Sequence, residues 1–445
     1  MVSNAFTLVT PTITPATGTV ELHYRGSDGT AFTETLQFAP FDGVSDAQMT
    51  CLQRAVRLTH LVAGVSYYKL DFGKLFDHAI YDLTATESAL LNAVYTIGLS
   101  EFILVNGLDH TDAPQFTATA KGFAPVDLHD QINGYLVPIG GGKDSVVTLE
   151  AMKKLGGVIG FHVGHHAVVD EMAETAGVSS VSVTRKISET LFAKNEAGGL
   201  NGHIPVTAIN SCISIIHAIL GQSVGVAFSN ERSANVGNTI ATDDFTVNHQ
   251  WSKSIEFETL FRDVVHGSIT PSISYFSALR ALSEIAIAKA FAGLDQYHPV
   301  FTSCNRAFKI RGRDHVKWCG ECEKCRFVFL IFACFLPVDY LEQTLGFNAL
   351  ADMDAMPDYL GMVGAPGTRK PLECVGEVEE VHYAFQKLLS DEKTAQLAVV
   401  AEIGKRMDGA FPATMETAAK DMFTPRGTHF VPDEVSEILE KMING

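Results

Sequence analysis

The stretch YLVPIGGGKDSVVTLEAMKKLG, residues 135–156, decides how the rest of the chain is read. A short apolar run meets glycines at 140, 141 and 142, and Lys143, Asp144 and Ser145 then open a helical pattern over 144–155. Glycines at such a joint permit dihedrals and close approaches that a Cβ would obstruct. At a helix start, bare N–H groups and the helix dipole make an anion cradle. Asp144 and Ser145 are suited there to capping the helix or to contacting a metal or phosphate. A Walker loop fails because Lys143 precedes Asp144 and not Ser or Thr, and Gly-x-Gly-x-x-Gly fails too. The bland alternative is a turn that is merely tight; the strand before and the helix after favour phosphate binding.

Outward from this joint, strand and helix alternate. Strands are predicted at 157–163, 179–185 and 223–229, with helices near 168–176 and over 206–221. Short apolar strands interleaved with helices predict a doubly wound parallel sheet, an α/β core, with ligands beyond the carboxyl ends of its strands. The glycine turn, HVGHH at 162–166 and FSNERSAN at 228–235 all fall at those ends. Residues 6–39 alternate with a Gly-Ser-Asp-Gly turn between, which is hairpin chemistry, and 45–105 turns helical. Three regions follow: a β-hairpin plus helical domain over 1–125, a nucleotide core over 130–336, and a helical C-terminal region over 337–445. Residues 110–127, rich in Pro and Thr, read as a linker.

Composition narrows the function classes. The 445 residues carry a formal net charge of −18, which disfavours nucleic acid and anionic membranes as partners. The N-terminus has no Lys or Arg before Arg25, unlike a secretory signal, and the greasiest run, 327–336, is too short to span a bilayer. A cytoplasmic protein is expected; protein partners are not legible. Eight cysteines are too few for a disulfide scaffold. Cys319, Cys322 and Cys325 form Cys-x2-Cys-x2-Cys, with Cys304 upstream, a set that suits tetrahedral structural zinc. Free thiols or a Cys319/Cys322 redox pair are the alternatives. Cys51, Cys212, Cys334 and Cys374 sit in apolar surroundings and read as core residues.

Residues 140–145 resemble the pyrophosphate loop Ser-Gly-Gly-x-Asp-Ser, with Gly140 in place of the leading Ser. That resemblance implies ATP binding and cleavage to AMP and pyrophosphate, adenylating a carboxyl or carbonyl oxygen. The loop followed by the cysteine cluster is similar, over 135–330, to 7-cyano-7-deazaguanine synthases. The blocks NGHIPVTAINSCISIIHAIL (201–220), FSNERSANVGN (228–238), NHQWSKSIEFETLF (248–261) and YFSALRALSEIAIAKAF (275–291) differ from those enzymes. With PIGGGKDS and FTSCNRAFKI they resemble the UDP-N-acetylmuramoyl-L-alanyl-L-glutamate epimerases of peptidoglycan synthesis, over most of the chain.

This second resemblance implies ATP- and magnesium-dependent inversion of the terminal glutamate of UDP-MurNAc-L-Ala-L-Glu. It implies that Gly140, Gly141, Gly142, Lys143, Asp144, Ser145 and Glu231 hold ATP and its magnesium. Asn230, Ser252, Arg306 and Arg311 are candidates for substrate binding, and Arg313 extends their basic island. Lys253, Glu256, His249 and His203 are the acid–base candidates, with the face of Cα served by each left open. A solvated lysine, a helix cap at Asn230/Glu231 and satisfied structural histidines are the competing readings. A deazapurine nitrile synthase, another amidating or tRNA-modifying enzyme, and a non-catalytic nucleotide sensor are the rival functions.

Overall fold

The computed structural model describes residues 4–129, 132–237, 239–242, 245–308, 317–407, 411 and 414–444. In chain order the strands are β1 (Ala5–Thr14), β2 (Thr19–Arg25), β3 (Ala31–Gln37), β4 (Leu75–Asp77), β5 (Asn133–Pro138) and β6 (Val158–Val163). They continue with β7 (Ser180–Lys186), β8 (Ser223–Phe228), β9 (Thr239–Thr242), β10 (Phe245–Val247) and β11 (Ser274–Ser277). One nine-stranded sheet has the order β11-β8-β5-β6-β7-β3-β2-β1-β4, and β9 pairs with β10 apart from it.

The parallel part is β11-β8-β5-β6-β7. The central strands β5 and β8 carry apolar residues on both faces because side chains alternate and both faces are covered, whereas β7 exposes Ser180, Ser182 and Thr184 on one face and buries Val183 on the other. Leu136, Val226 and Tyr275 enter one core, with the helices Asp46–Ala63 and Val206–Leu220. Their successors Val137, Ala227 and Phe276 enter the other, with the helices Lys143–Lys153, Glu284–Ala292 and Glu323–Ala333. The apolar run at 327–336 is thus mostly a core helix. Since β5 is flanked by β6 on one side and by the much later β8 on the other, strand order reverses at β5. The crevice beyond the carboxyl ends of β5 and β8 is where such a sheet receives a ligand.

The sheet is mixed, not wholly parallel as expected. β7 would be an open edge, but β3 pairs with it antiparallel, Leu36 opposite Arg185, and β2 and β1 continue outward. The sheet and one hydrophobic core therefore run across the boundary expected near 125–130. Glu34 marks the seam. Fully buried, it receives Arg185 Nε at 2.7 Å and Nη2 at 3.2 Å, and the Tyr67 hydroxyl at 2.9 Å.

Residues 85–105 are, among the described residues, the one helical stretch long and apolar enough to cross a membrane. A 3₁₀ turn divides it, and Leu90, Leu91, Val94, Leu99 and Phe102 are buried in the core with β1 and β2. The C-terminal region is helical, as expected. Its last helix, Asp433–Asn444, buries Val435, Leu439 and Ile443, one stripe at four-residue spacing, in the core with Lys143–Lys153. Between the helices Met356–Met362 and Val378–Leu389 an irregular segment returns to the crevice and brings Cys374 there.

Candidate active site

β5 ends at Pro138, and the helix Lys143–Lys153 starts after the glycines. Gly141 has φ +84°, a left-handed conformation that suits glycine. Gly142 is the helix cap and supplies no side-chain hydrogen bond, so Asp144 sits in the first turn and not at the expected cap. The first-turn amides are left to the backbone or to a ligand. A Cβ on Gly142 would lie 2.8 Å from Ser303 Oγ, and one on Gly140 would meet nothing within 4 Å. The loop thus rests on the 302–308 segment, where Thr302 N–H donates to Gly141 O at 2.9 Å, and is open at Gly140. Ser145 is buried and its hydroxyl donates to Gly142 O at 2.8 Å.

Lys143 does not project into solvent. Its fully buried ammonium pairs with Asp144 and with Glu284, and Lys324 Nζ lies 3.6 Å from the other oxygen of Glu284. Burial opposes the charge on Lys143, but the two carboxylates outweigh it and raise its pKa. Burial likewise opposes the charge on Glu284, and Lys143 and Lys324 overcome it, holding the carboxyl down to about 2. Glu231, just past β8, is buried, and its pKa is raised by that burial and by the like charge of Glu284. Asn230 beside it donates to Ser277 Oγ at 2.9 Å, at the end of β11. Lys253 and the buried Ser252 occupy the 3₁₀ turn Trp251–Lys253.

A second group joins this one at Lys253. Its Nζ lies 3.4 Å from Cys374 Sγ, and the Cys374 thiol also hydrogen-bonds His249. His249 Nδ1 is bonded to Glu101 on the helix Ser100–Val105, and its ring lies 4.2 Å, centroid to centroid, from that of His203. Burial lowers the His203 pKa to about 4. Burial opposes charge on His249 too, but Cys374 and Glu101 push its pKa up to about 10. Glu101, His203 and His249 offer donor atoms within 4.8 Å of one another. Four distant parts of the chain therefore meet at one end of the sheet.

The other expected site residues have the following surroundings. Glu256 is exposed, and its carboxylate accepts the Trp251 indole N–H at 2.9 Å. Arg306 is exposed and pairs with Glu321 at 2.5 Å. Arg311 and Arg313 fall outside the described residues. His162 and His165 lie near Asp170, while His166 caps the helix Ala167–Ala176 and packs on Phe308, which in turn lies against Gly141. Cys51, Cys212 and Cys334 are buried, as expected. Cys374 is a correction: it is only half-buried and sits among polar groups, not apolar ones. Glu284 and Arg280 also belong to this site, though in sequence each looks like an ordinary helix or loop charge.

The sulfurs of Cys304, Cys319, Cys322 and Cys325 lie within 4.8 Å of one another, with Cys322–Cys325 at 3.4 Å and Cys319–Cys325 at 3.7 Å. Tetrahedral zinc with ~2.3 Å bonds to sulfur separates its ligands by about 3.8 Å, so this set fits that ion. Cys322 N–H donates to Cys319 Sγ at 3.3 Å, a contact suited to a thiolate.

Residues 2–278 match the family model of the MurL N-terminal domain, and residues 300–418 match that of the MurL C-terminal domain. A protein of Micromonospora sp. named UDP-N-acetyl-alpha-D-muramoyl-L-alanyl-L-glutamate epimerase is 40% identical, covering 98% of this chain and 98% of its own length. Proteins of the same name from Salinispora tropica and Xanthomonas oryzae pv. oryzae are each 38% identical. They cover 98% and 89% of this chain, and 95% and 88% of their own lengths. No solved structure matches it. With both domain models matched in order and relatives aligned nearly end to end, this chain belongs to the MurL family.

Proposed function

We propose that this chain is an isomerase of peptidoglycan precursor synthesis. It inverts the terminal L-glutamate of UDP-MurNAc-L-Ala-L-Glu to D-glutamate, using ATP and magnesium through a carboxyl adenylate. The observation that carries the reading is the uncapped helix start beyond β5, with Lys143, Lys253 and Lys324 gathered behind it, in a chain whose relatives bear the epimerase name. The α-proton of a free carboxylate is hard to remove because a second negative charge builds beside the first. Joined to AMP, the carboxyl carries no charge and its carbonyl can accept the electron pair. The first-turn amides suit the phosphates of ATP, with the buried lysines adding positive charge behind them, and Asp144 and Glu231 are the carboxylates suited to its magnesium. A nucleotide-linked substrate and ATP imply a cytoplasmic site of action, as part of the same reading.

The test is incubation with ATP, magnesium and UDP-MurNAc-L-Ala-L-Glu, followed by chiral analysis of the glutamate and assay of AMP. Both D-glutamate and AMP are expected. AMP without D-glutamate would remove the substrate assignment, and D-glutamate without any ATP requirement would remove the adenylate.

Cys304, Cys319, Cys322 and Cys325 would hold structural zinc, since four sulfur ligands leave no open position. The clamp borders the 302–308 segment that supports Gly141. Metal analysis should therefore find one zinc per chain. Stripping it with a chelator should lower the melting temperature and raise KM for ATP more than KM for the muramoyl dipeptide. Equal kinetics and melting before and after stripping would contradict this.

A further inference from the structure

We propose that the Cys374 thiolate exchanges the α-proton of the substrate glutamate on one face of Cα. The inference rests on the function proposed above and deepens it by naming a proton carrier. Its basis is convergence. Cys374 arrives from the C-terminal region, 121 residues from Lys253 in the chain, yet Lys253 Nζ lies 3.4 Å from its sulfur. His249 hydrogen-bonds the same thiol, and Glu101 fixes that ring through Nδ1. Lys324 anchors the segment by donating to Cys374 O. Lys253 also acts electrostatically on Glu231 and Glu284; Glu284 pairs with Lys143, which in turn pairs with Asp144 beside the glycine turn. A chain of charged groups thus runs from the phosphate cradle to the sulfur.

A thiol packed for structure alone would resemble the buried cysteines Cys51 and Cys334. Burial pushes Cys51 up to about 11 and Cys334 up to about 12. Burial acts on Cys374 in the same sense, but Lys253, His249 and Lys324 outweigh it and bring the thiol down to about 7. An acid or base that works at neutral pH needs that poise. The acyl adenylate would present a Cα–H bond to the sulfur. As the thiolate takes the proton, the C–H electron pair moves into the carbonyl and leaves an enolate oxygen. A protonated side chain on the opposite face then delivers its proton to Cα as the pair returns. The sulfur ends with one proton more and the opposite group with one fewer; the sulfur returns its proton to water through His249, and the opposite group takes one from water.

The test uses the full chain with Cys374→Ala and Cys374→Ser. Both variants should form D-glutamate at least about 100-fold more slowly while releasing AMP at a rate within about tenfold of the unmodified enzyme. A second readout needs no substrate. Peptide-level mass spectrometry after brief iodoacetamide treatment at pH 7 should find Cys374 alkylated ahead of Cys51 and Cys212, and Lys253→Met should slow that labelling about tenfold or more. D-glutamate formed by both variants at nearly the unmodified rate overturns the proposal. So does loss of AMP release and D-glutamate together, which marks a structural role, and so does labelling of Cys374 no faster than that of the core thiols. The unmodified enzyme separates the two claims: if it makes no D-glutamate the function fails, whereas D-glutamate from it and from the variants alike defeats only the role of Cys374.

Discussion

Lys143→Met should destabilise the protein by about 3–5 kcal/mol and reduce substrate-dependent AMP release by about 10²–10³-fold. The two effects have one origin. The ammonium is wholly buried between Asp144 and Glu284, so its removal leaves Glu284, itself 1% exposed, with Lys324 alone at 3.6 Å. An uncompensated buried charge costs more than the pair was worth. Glu284→Gln on its own leaves Lys143 with Asp144 alone and takes from Lys324 its paired carboxylate, and should also destabilise. The double variant Lys143→Met/Glu284→Gln removes both charges, so its urea midpoint should recover part of the loss. Its AMP release should not recover, because the positive charge behind the helix start is still missing. Urea midpoints and AMP assays on the three variants decide it: a double variant no more stable than Lys143→Met, or one that regains activity along with stability, contradicts the account. The acid limb has a fixed sign. Glu284 is held down to about 2, so its stabilising contribution is complete above its unfolded pKa, about 4.3, and disappears as pH falls towards 2.

Local pattern reached as far as the backbone of this site and no further. The run from Leu136 to Ser145 carries its own instructions: a continuous apolar run for β5, glycines for the turn, and a polar first helical turn after it. Both faces of the central strands β5 and β8 are apolar because both are covered, and that too can be read from composition. The pairing of β3 with β7 cannot be read, because Leu36 and Arg185 meet through a fold that neither segment encodes alone. Lys143 illustrates the same limit at the level of a side chain. Beside three glycines it suggests a phosphate ligand, but its direction is set by Glu284, which lies 141 residues later. In sequence Cys374 sits in apolar surroundings and reads as a core residue. Its neighbours in space are Lys253 and His249, and only the tertiary structure supplies them.

Arg280→Met is expected to be the other severe substitution, with a loss of about 3–5 kcal/mol. Arg280 is 1% exposed and directs Nε and Nη2 to Glu258 Oε2 at 3.2 and 2.9 Å. Nη1 donates to Glu231 O at 3.0 Å, and Nη2 donates to Lys253 O and to Ser277 Oγ, the latter at 3.2 Å. One guanidinium therefore ties together the segment after β8, the turn bearing Lys253 and the end of β11. Glu258 is not satisfied without it: its other oxygen accepts Ser277 N–H at 3.0 Å, which leaves Oε2 buried and charged. Arg280→Lys keeps the charge but cannot reproduce a planar fork reaching several acceptors at once, so it should fall between the two in stability. Its kinetic signature should differ from its stability loss. With the backbones of Glu231 and Lys253 less firmly held, kcat for D-glutamate should drop more than KM for ATP rises. Denaturation curves and steady-state kinetics on both variants provide the check. Arg280→Lys behaving as the unmodified protein in both would show that charge alone, and not the fork, organises this end of the sheet.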